Sequence, residues 1–168
     1  MSMSVSTRWA IACAVVVLLV GGYSLITPED KEDPQAYPGS RTAYTVDDIE
    51  RLTRVRLPGC ARPDVRYILG PVYAEDVTLD FTATPECVAE FLTGLGADVA
   101  RPDYVGEPGD SLAYSLPPET GTQWEFGPRT RLEEWLRILP GSYREQVKVA
   151  VDRSVQPPHV YLHAFALD

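Results

Sequence analysis

The chain has 168 residues, 45% apolar and 23% charged, which fits one ordinary globular domain with appendages and excludes a disordered polymer. Its formal net charge is -9, and the basic residues are scattered among acids with no Lys/Arg cluster, which argues against nucleic acid as a partner. Arginine outnumbers lysine thirteen to two and asparagine is absent, so there is no acceptor for N-linked sugar.

Residues 1–8 are read as a cytoplasmic N-terminus. Trp9 to Ile26 is an uncharged run of 18 residues, and a helix of that length rises about 27 Å, close to the roughly 30 Å of a bilayer core. Arg8 precedes it and the acidic stretch Pro28–Pro34 follows it. The positive-inside rule then makes it a single-pass signal anchor with the rest of the chain outside the cell membrane. Two alternatives compete. Small residues at Val20–Gly22 or Gly22–Ser24 would suit signal-peptide cleavage and secretion. Cys13, after Ala10-Ile11-Ala12, faintly resembles a lipobox, but the apolar run continues past it, so Cys13 reads as a small apolar residue of the anchor. Residues 27–44 are rich in Pro, Gly and charge without apolar periodicity, the pattern of an acidic solvated linker.

The remaining span, 45–168, is expected to be an extracytoplasmic α+β domain. Thr45 to Asp48 makes a capping box, and Val46, Ile49, Leu52 and Val55 recur at helical spacing, giving a helix from about Val46 to Arg56 ended by Pro58-Gly59. Asp64–Leu69 and Glu75–Ala83 read as a hairpin, the second strand alternating Val77, Leu79 and Phe81 with Thr78, Asp80 and Thr82. Thr84-Pro85 starts a second helix with Val88, Phe91, Leu92 and Leu95 on one face, stopped by Gly94 and Gly96. Leu112–Leu116 and Thr122–Phe126 are expected to pair as a second hairpin. A third helix is expected after Thr130, because Leu132, Trp135, Leu136 and Leu139 follow helical spacing. Gln146–Asp152 alternates again with Val147, Val149 and Val151 inward. Val160–Leu167 is apolar on both faces, as a strand inside a sheet would be. The order α-β-β-α-β-β-α-β-β points to an antiparallel sheet built from hairpins with helices packed on it, and away from a βαβ nucleotide fold.

Candidate chemistry is thin. Gly109-Asp110-Ser111-Leu112 spells the signature of the GDSL hydrolases, in which the serine is the nucleophile and its His lies three residues after an Asp. Here Gln156 precedes His159 by three and Val160 precedes His163 by three. The family's oxyanion-hole Asn has no counterpart, and the four letters lead from a turn towards a strand, so a plain turn is the preferred reading. His159 and His163 share a strand face with Tyr161, about 13 Å apart at Cα, too far to hold one metal together. Asp47-Asp48 and Glu133-Glu134 sit in first turns of expected helices, where the helix dipole accounts for acids. A carboxylate pair assembled across the fold stays open as an alternative. Trp135 is expected in the core. Trp124 could serve core or surface, and Tyr104, Tyr114 and Tyr143 could line a groove. No pattern calls for a cofactor or a metal.

Cys60 lies just before the first hairpin strand and Cys87 just after the second. Antiparallel pairing with Val65 opposite Thr82 would bring them together as a disulfide, in keeping with an oxidising, extracytoplasmic location. Leu57-Pro58 leading into Asp64-Val-Arg-Tyr67, the Pro85–Leu92 pattern, Trp124-x-Phe126 and the segment from Val147 to Leu167 together resemble a diffuse group of small actinobacterial envelope proteins, membrane-anchored or lipoprotein-like, of unknown function. The resemblance implies an extracytoplasmic domain and supplies no active site. The chain departs from the lipoproteins of that group in carrying a plain anchor without a clear lipobox. The sequence thus points to a non-catalytic binding or scaffold module, held to the membrane by its N-terminal helix, with a protein or cell-wall partner. The alternative is a small envelope hydrolase using a carboxylate pair or Ser111.

Overall fold

A computed structural model describes residues 33–41, 44–70, 77–107, 124, 126, 130–139 and 145–166. Their order is α1 (Val46–Thr53), a 3-10 turn (Arg62–Asp64), β1 (Arg66–Leu69), β2 (Val77–Thr82), α2 (Pro85–Gly94), β3 (Tyr104–Gly106), β4 (Leu132–Ile138), β5 (Glu145–Asp152) and β6 (His159–Ala166). The strands form one antiparallel six-stranded sheet in the order β1-β2-β6-β5-β4-β3. The α+β architecture expected from the sequence is therefore present. The expected transmembrane helix at Trp9–Ile26 and the expected strand Leu112–Leu116 lie outside the described residues, and among those described no helix is long and apolar enough to cross a membrane.

One sheet face carries the core. Tyr67, Leu79, Leu162, Val149 and Trp135 stand in one row across β1, β2, β6, β5 and β4, all buried. Val46 and Ile49 of α1 and Val88, Phe91 and Leu92 of α2 belong to the same cluster. Phe81 and Phe91 meet edge-on at 5.3 Å between ring centres, a favoured aromatic geometry. Both helices form where their caps dictate. Thr45 and Asp48 complete the expected capping box on α1. Thr84 caps α2 ahead of Pro85. At the far end of α2, Gly96 takes φ +73 while its N–H donates to Thr93 and that of Ala97 to Leu92, the paired bonds of a Schellman stop.

The structure corrects three expectations. The stretch after Thr130 is the strand β4, not a helix. Its apolar residues fit helical spacing because they serve two faces: Trp135 and Leu139 enter the helix-side core, while Leu132 packs on the opposite face with Ala150 and Tyr161. Apolar side chains on both faces blur a period of two. The hairpin register is Arg66 opposite Asp80 and Tyr67 opposite Leu79, one residue away from Val65 opposite Thr82. A one-residue slip would turn either the Tyr67 and Leu69 set or the Val77, Leu79 and Phe81 set out of the core, so burial decides the register. Finally, residues 33–41 fall inside the expected linker, yet they lie along the edge of β1. Ala36 bridges Tyr67, Tyr37 N–H donates to Tyr67, Tyr67 N–H to Gln35, and Leu69 N–H to the Ser40 hydroxyl. An otherwise open sheet edge is covered by this segment.

Candidate functional site

The sheet face opposite the helices holds the chain's unusual polar groups. Strand pairing places Arg66, Asp80, Tyr161, Ala150 and Glu134 in one row on that face, and Thr82, His159, Asp152 and Leu132 in the next. Asp80, Asp152 and Glu134 are buried, at 5%, 4% and 0% exposure. Buried carboxylates are costly unless bonded, so their partners decide what they do.

Asp80 accepts three hydrogen bonds. The Tyr37 hydroxyl (2.5 Å) and Trp124 Nε1 (3.1 Å) share Oδ1, and His159 Nε2 lies 2.8 Å from Oδ2. The His159 tautomer with Nε2–H is the one that donates to this carboxylate. Burial, and then the neighbouring Asp80 charge, raise the Tyr37 phenol above its ordinary value, which keeps it a donor. Arg66 stands over the Tyr37 ring at 4.9 Å. Aromatic groups close the arrangement: His159 stacks on Tyr161 at 4.3 Å, and Trp124 and Phe126 meet Tyr161 edge-on at 4.8 and 5.1 Å. Tyr161 is likewise raised, by burial first and then by the charges of Asp152 and Asp80. Asp152 accepts the Ser154 N–H and hydroxyl at 2.8 and 2.6 Å, closing the turn after β5. Beside Tyr37 is a cavity of about 280 Å³ walled by Asp33, Ser40, Arg41 and Arg66, at the small end of ligand sites.

Glu134 and Asp152 lie diagonally on the neighbouring strands β4 and β5 of this face, about 7–8 Å apart, whereas Asp80 stands away from Glu134. Asp80 and Glu134 are three strands apart, about 14 Å at the backbone, with the Tyr161 ring between them on the same face. Glycoside-hydrolysing pairs work at about 5–9.5 Å. Glu133 and Glu134 diverge because β4 is a strand: Glu134 is buried on this face, and Glu133 accepts from Arg153 Nε at 2.6 Å on the other. Asp47 and Asp48 serve α1, as the dipole argument expects. Asp48 caps it and pairs with Arg51, and Asp47 pairs with Arg62. His159 and His163 share the outer face of β6, and only His159 touches Asp80. Among the described residues no group of three or more His, Cys, Asp or Glu is placed to hold a metal. Trp135 is fully buried, with Nε1 donating to Asp98 at 3.0 Å. Tyr104 lies on the short edge strand β3. Ser111, Tyr114 and Tyr143 lie outside the described residues. The sulfurs of Cys60 and Cys87 are 2.10 Å apart, a disulfide bond, with Cα atoms at 6.2 Å.

Sequence reasoning missed Asp80 and Tyr37. Asp80 occupies a position that alternation assigns to solvent. The signal against that was β6: a strand apolar on both faces needs cover on both, so its neighbour's outward residues are covered too. Tyr37 carried no signal within a stretch that reads as linker. Comparison of the chain with protein-family models, with characterised proteins and with solved structures finds no match in any of the three.

Proposed function

We propose that the chain is a single-pass envelope protein whose extracytoplasmic domain is a non-catalytic binding or scaffold module. The observation that carries this reading is the commitment of Asp80: its carboxylate, the most promising acid on the outer face, is occupied by Tyr37, Trp124 and His159. It ties two segments outside the sheet to strands β2 and β6, a bracing role. The surface offered to a partner is the outer face of β4, where Leu136 and Ile138 are 39% and 61% exposed. The uncharged Trp9–Ile26 run supports anchoring, and the Cys60–Cys87 bond suits an oxidising compartment. The resemblance to small actinobacterial envelope proteins agrees with both.

The test is capture from envelope extracts with the intact full-length chain, beside a denatured control and a Leu136→Glu/Ile138→Glu variant. The module reading expects a partner enriched by the intact chain and lost with the variant. Enrichment no better than the denatured control overturns it. One observation favours the hydrolase alternative, the 2.8 Å contact between His159 and Asp80, which would orient a general base. Turnover of model esters that disappears in both Ser111→Ala and His159→Gln would establish that alternative.

A further inference from the structure

The sequence scatters its basic residues, but the fold gathers four of them. Arg51, Arg54, Arg56 and Arg62 line an open groove of about 690 Å³ together with Asp47, Glu50 and Leu57. That volume lies within the usual range of small-molecule sites, about 300–1,000 Å³. With Asp48, which pairs with Arg51, four arginines stand against three carboxylates here, a local surplus of positive charge in a chain of net charge -9.

We propose that this groove, between α1 and the segment from Arg54 to Arg62, binds ligands that carry phosphate groups. Three observations support it. First, both carboxylates of the wall are already engaged. Asp47 pairs with Arg62, and Glu50 divides its oxygens between Arg62 Nη1 (3.1 Å) and the Leu57 N–H (2.6 Å). Second, Arg56 is exposed and makes no hydrogen bond or ion pair among the described residues. Arg54 and Arg56 flank Val55, which is 1% exposed and fixes the segment to the core. Third, Arg54 closes α1 with φ 56 and ψ 10, the left-handed conformation that glycine adopts at least cost. An arginine stands at a position where glycine would be cheaper, a local strain of the kind found at binding sites.

Ligand class follows from the competition at Arg62. A lone carboxylate would offer Arg62 nothing beyond what Asp47 and Glu50 already supply. A phosphate brings up to two charges and three acceptor oxygens, enough to engage several guanidinium forks at once.

The probe is pyrophosphate, titrated calorimetrically into the full-length chain in neutral detergent at low salt, with inorganic phosphate in parallel. Vesicles of phosphatidylglycerol are compared with phosphatidylcholine to separate a lipid headgroup from a soluble phosphate. Saturable binding is expected, weakened about tenfold by Arg56→Gln and by Arg54→Gly, because each removes charge-assisted bonds. Arg54→Gly also relieves the left-handed strain, so its melting temperature should hold or rise while binding falls. Arg101→Gln makes the same charge change at an 87%-exposed side chain outside the groove and should leave binding intact. Binding of free pyrophosphate marks a soluble ligand. Binding to phosphatidylglycerol vesicles alone, lost in Arg56→Gln, marks a headgroup. The proposal is overturned if no probe binds saturably, if Arg101→Gln weakens binding as much as Arg56→Gln, or if the two groove variants bind unchanged.

Discussion

Three donors share the Asp80 carboxylate, and each comes from a different part of the chain: Tyr37 from the segment along β1, Trp124 from outside the sheet, and His159 from the start of β6. Removing the acceptor leaves three polar groups to find new partners on a covered face. Hydrogen bonds to a charged group are each worth about 1.5–3 kcal/mol, and buried donors left without acceptors add a penalty. Asp80→Ala should therefore lower the unfolding free energy by about 3 kcal/mol, and Asp80→Asn, which keeps one acceptor, by less. Urea denaturation measures both, and a loss below about 0.5 kcal/mol for Asp80→Ala, the level of an ordinary surface change, would show that the brace is dispensable. The same cluster sets a response to alkali. Tyr37 and Tyr161 bind their protons more tightly folded than unfolded. Their contribution is whole below the ordinary phenol value near about 10 and fades as pH rises from there towards the folded values. Wild type should lose stability above about pH 10 more steeply than Tyr37→Phe, and parallel curves for the two would remove Tyr37 from the account.

At the scale of elements, α1 is held by its first turn. Thr45 and Asp48 exchange side-chain and backbone bonds, and Arg51 adds an ion pair to Asp48. Thr45→Ala should cost about 1 kcal/mol. The bonds from Thr45 hold the Asp48 carboxyl below its ordinary value, with Arg51 helping. The sign follows: this stability is present above the unfolded carboxylate value and is lost as pH falls through the lower folded one. Thr45→Ala should flatten that acid limb below the ordinary carboxylate value, and an unchanged limb in a melting series would refute the assignment. Helix caps are legible in sequence because partners three residues apart fix them, and α1, α2 and the Gly96 stop all follow such local rules. The strand β4 was not legible. Leu132, Trp135, Leu136 and Leu139 imitate a helix, and only the presence of packing on both sheet faces turns that spacing into a strand. β3 has three residues, too few for any period to show. The outer-face site was hidden for the same reason. Asp80 reads as a solvent-facing residue until something covers it. The arginine groove needed the turn at Arg54 before charges at four separate positions shared a wall.

For the described domain as a whole, the Cys60–Cys87 bond joins the segment after α1 to the start of α2, across the β1–β2 hairpin. Residues of the helix-side core adjoin it in sequence. Ala61, Val65 and Cys87 itself are buried there, and Val88 follows directly in α2. The bond spans a sequence separation of 27 residues. In the chain-entropy model a closed loop of that length stabilises the fold by roughly 3–4 kcal/mol, mainly by restricting the unfolded chain. That is a large fraction of the about 5–15 kcal/mol that holds an ordinary domain. The Cys60→Ser/Cys87→Ser double variant should therefore show a lower urea midpoint with the sheet and helices retained by circular dichroism. Adding a reductant to wild type should reproduce that shift and leave the variant unmoved. Thiol alkylation of the full-length chain taken from the cell, mapped to each cysteine, completes the argument, since an exported domain would show Cys60 and Cys87 blocked until reduction and a domain facing the cytoplasm would show both free. Midpoints equal in wild type and variant would mean that α1, α2 and the hairpin hold together without the bond. Cys60 and Cys87 found as free thiols in the cellular protein would overturn the extracytoplasmic assignment itself, and with it the envelope setting in which a binding module was proposed.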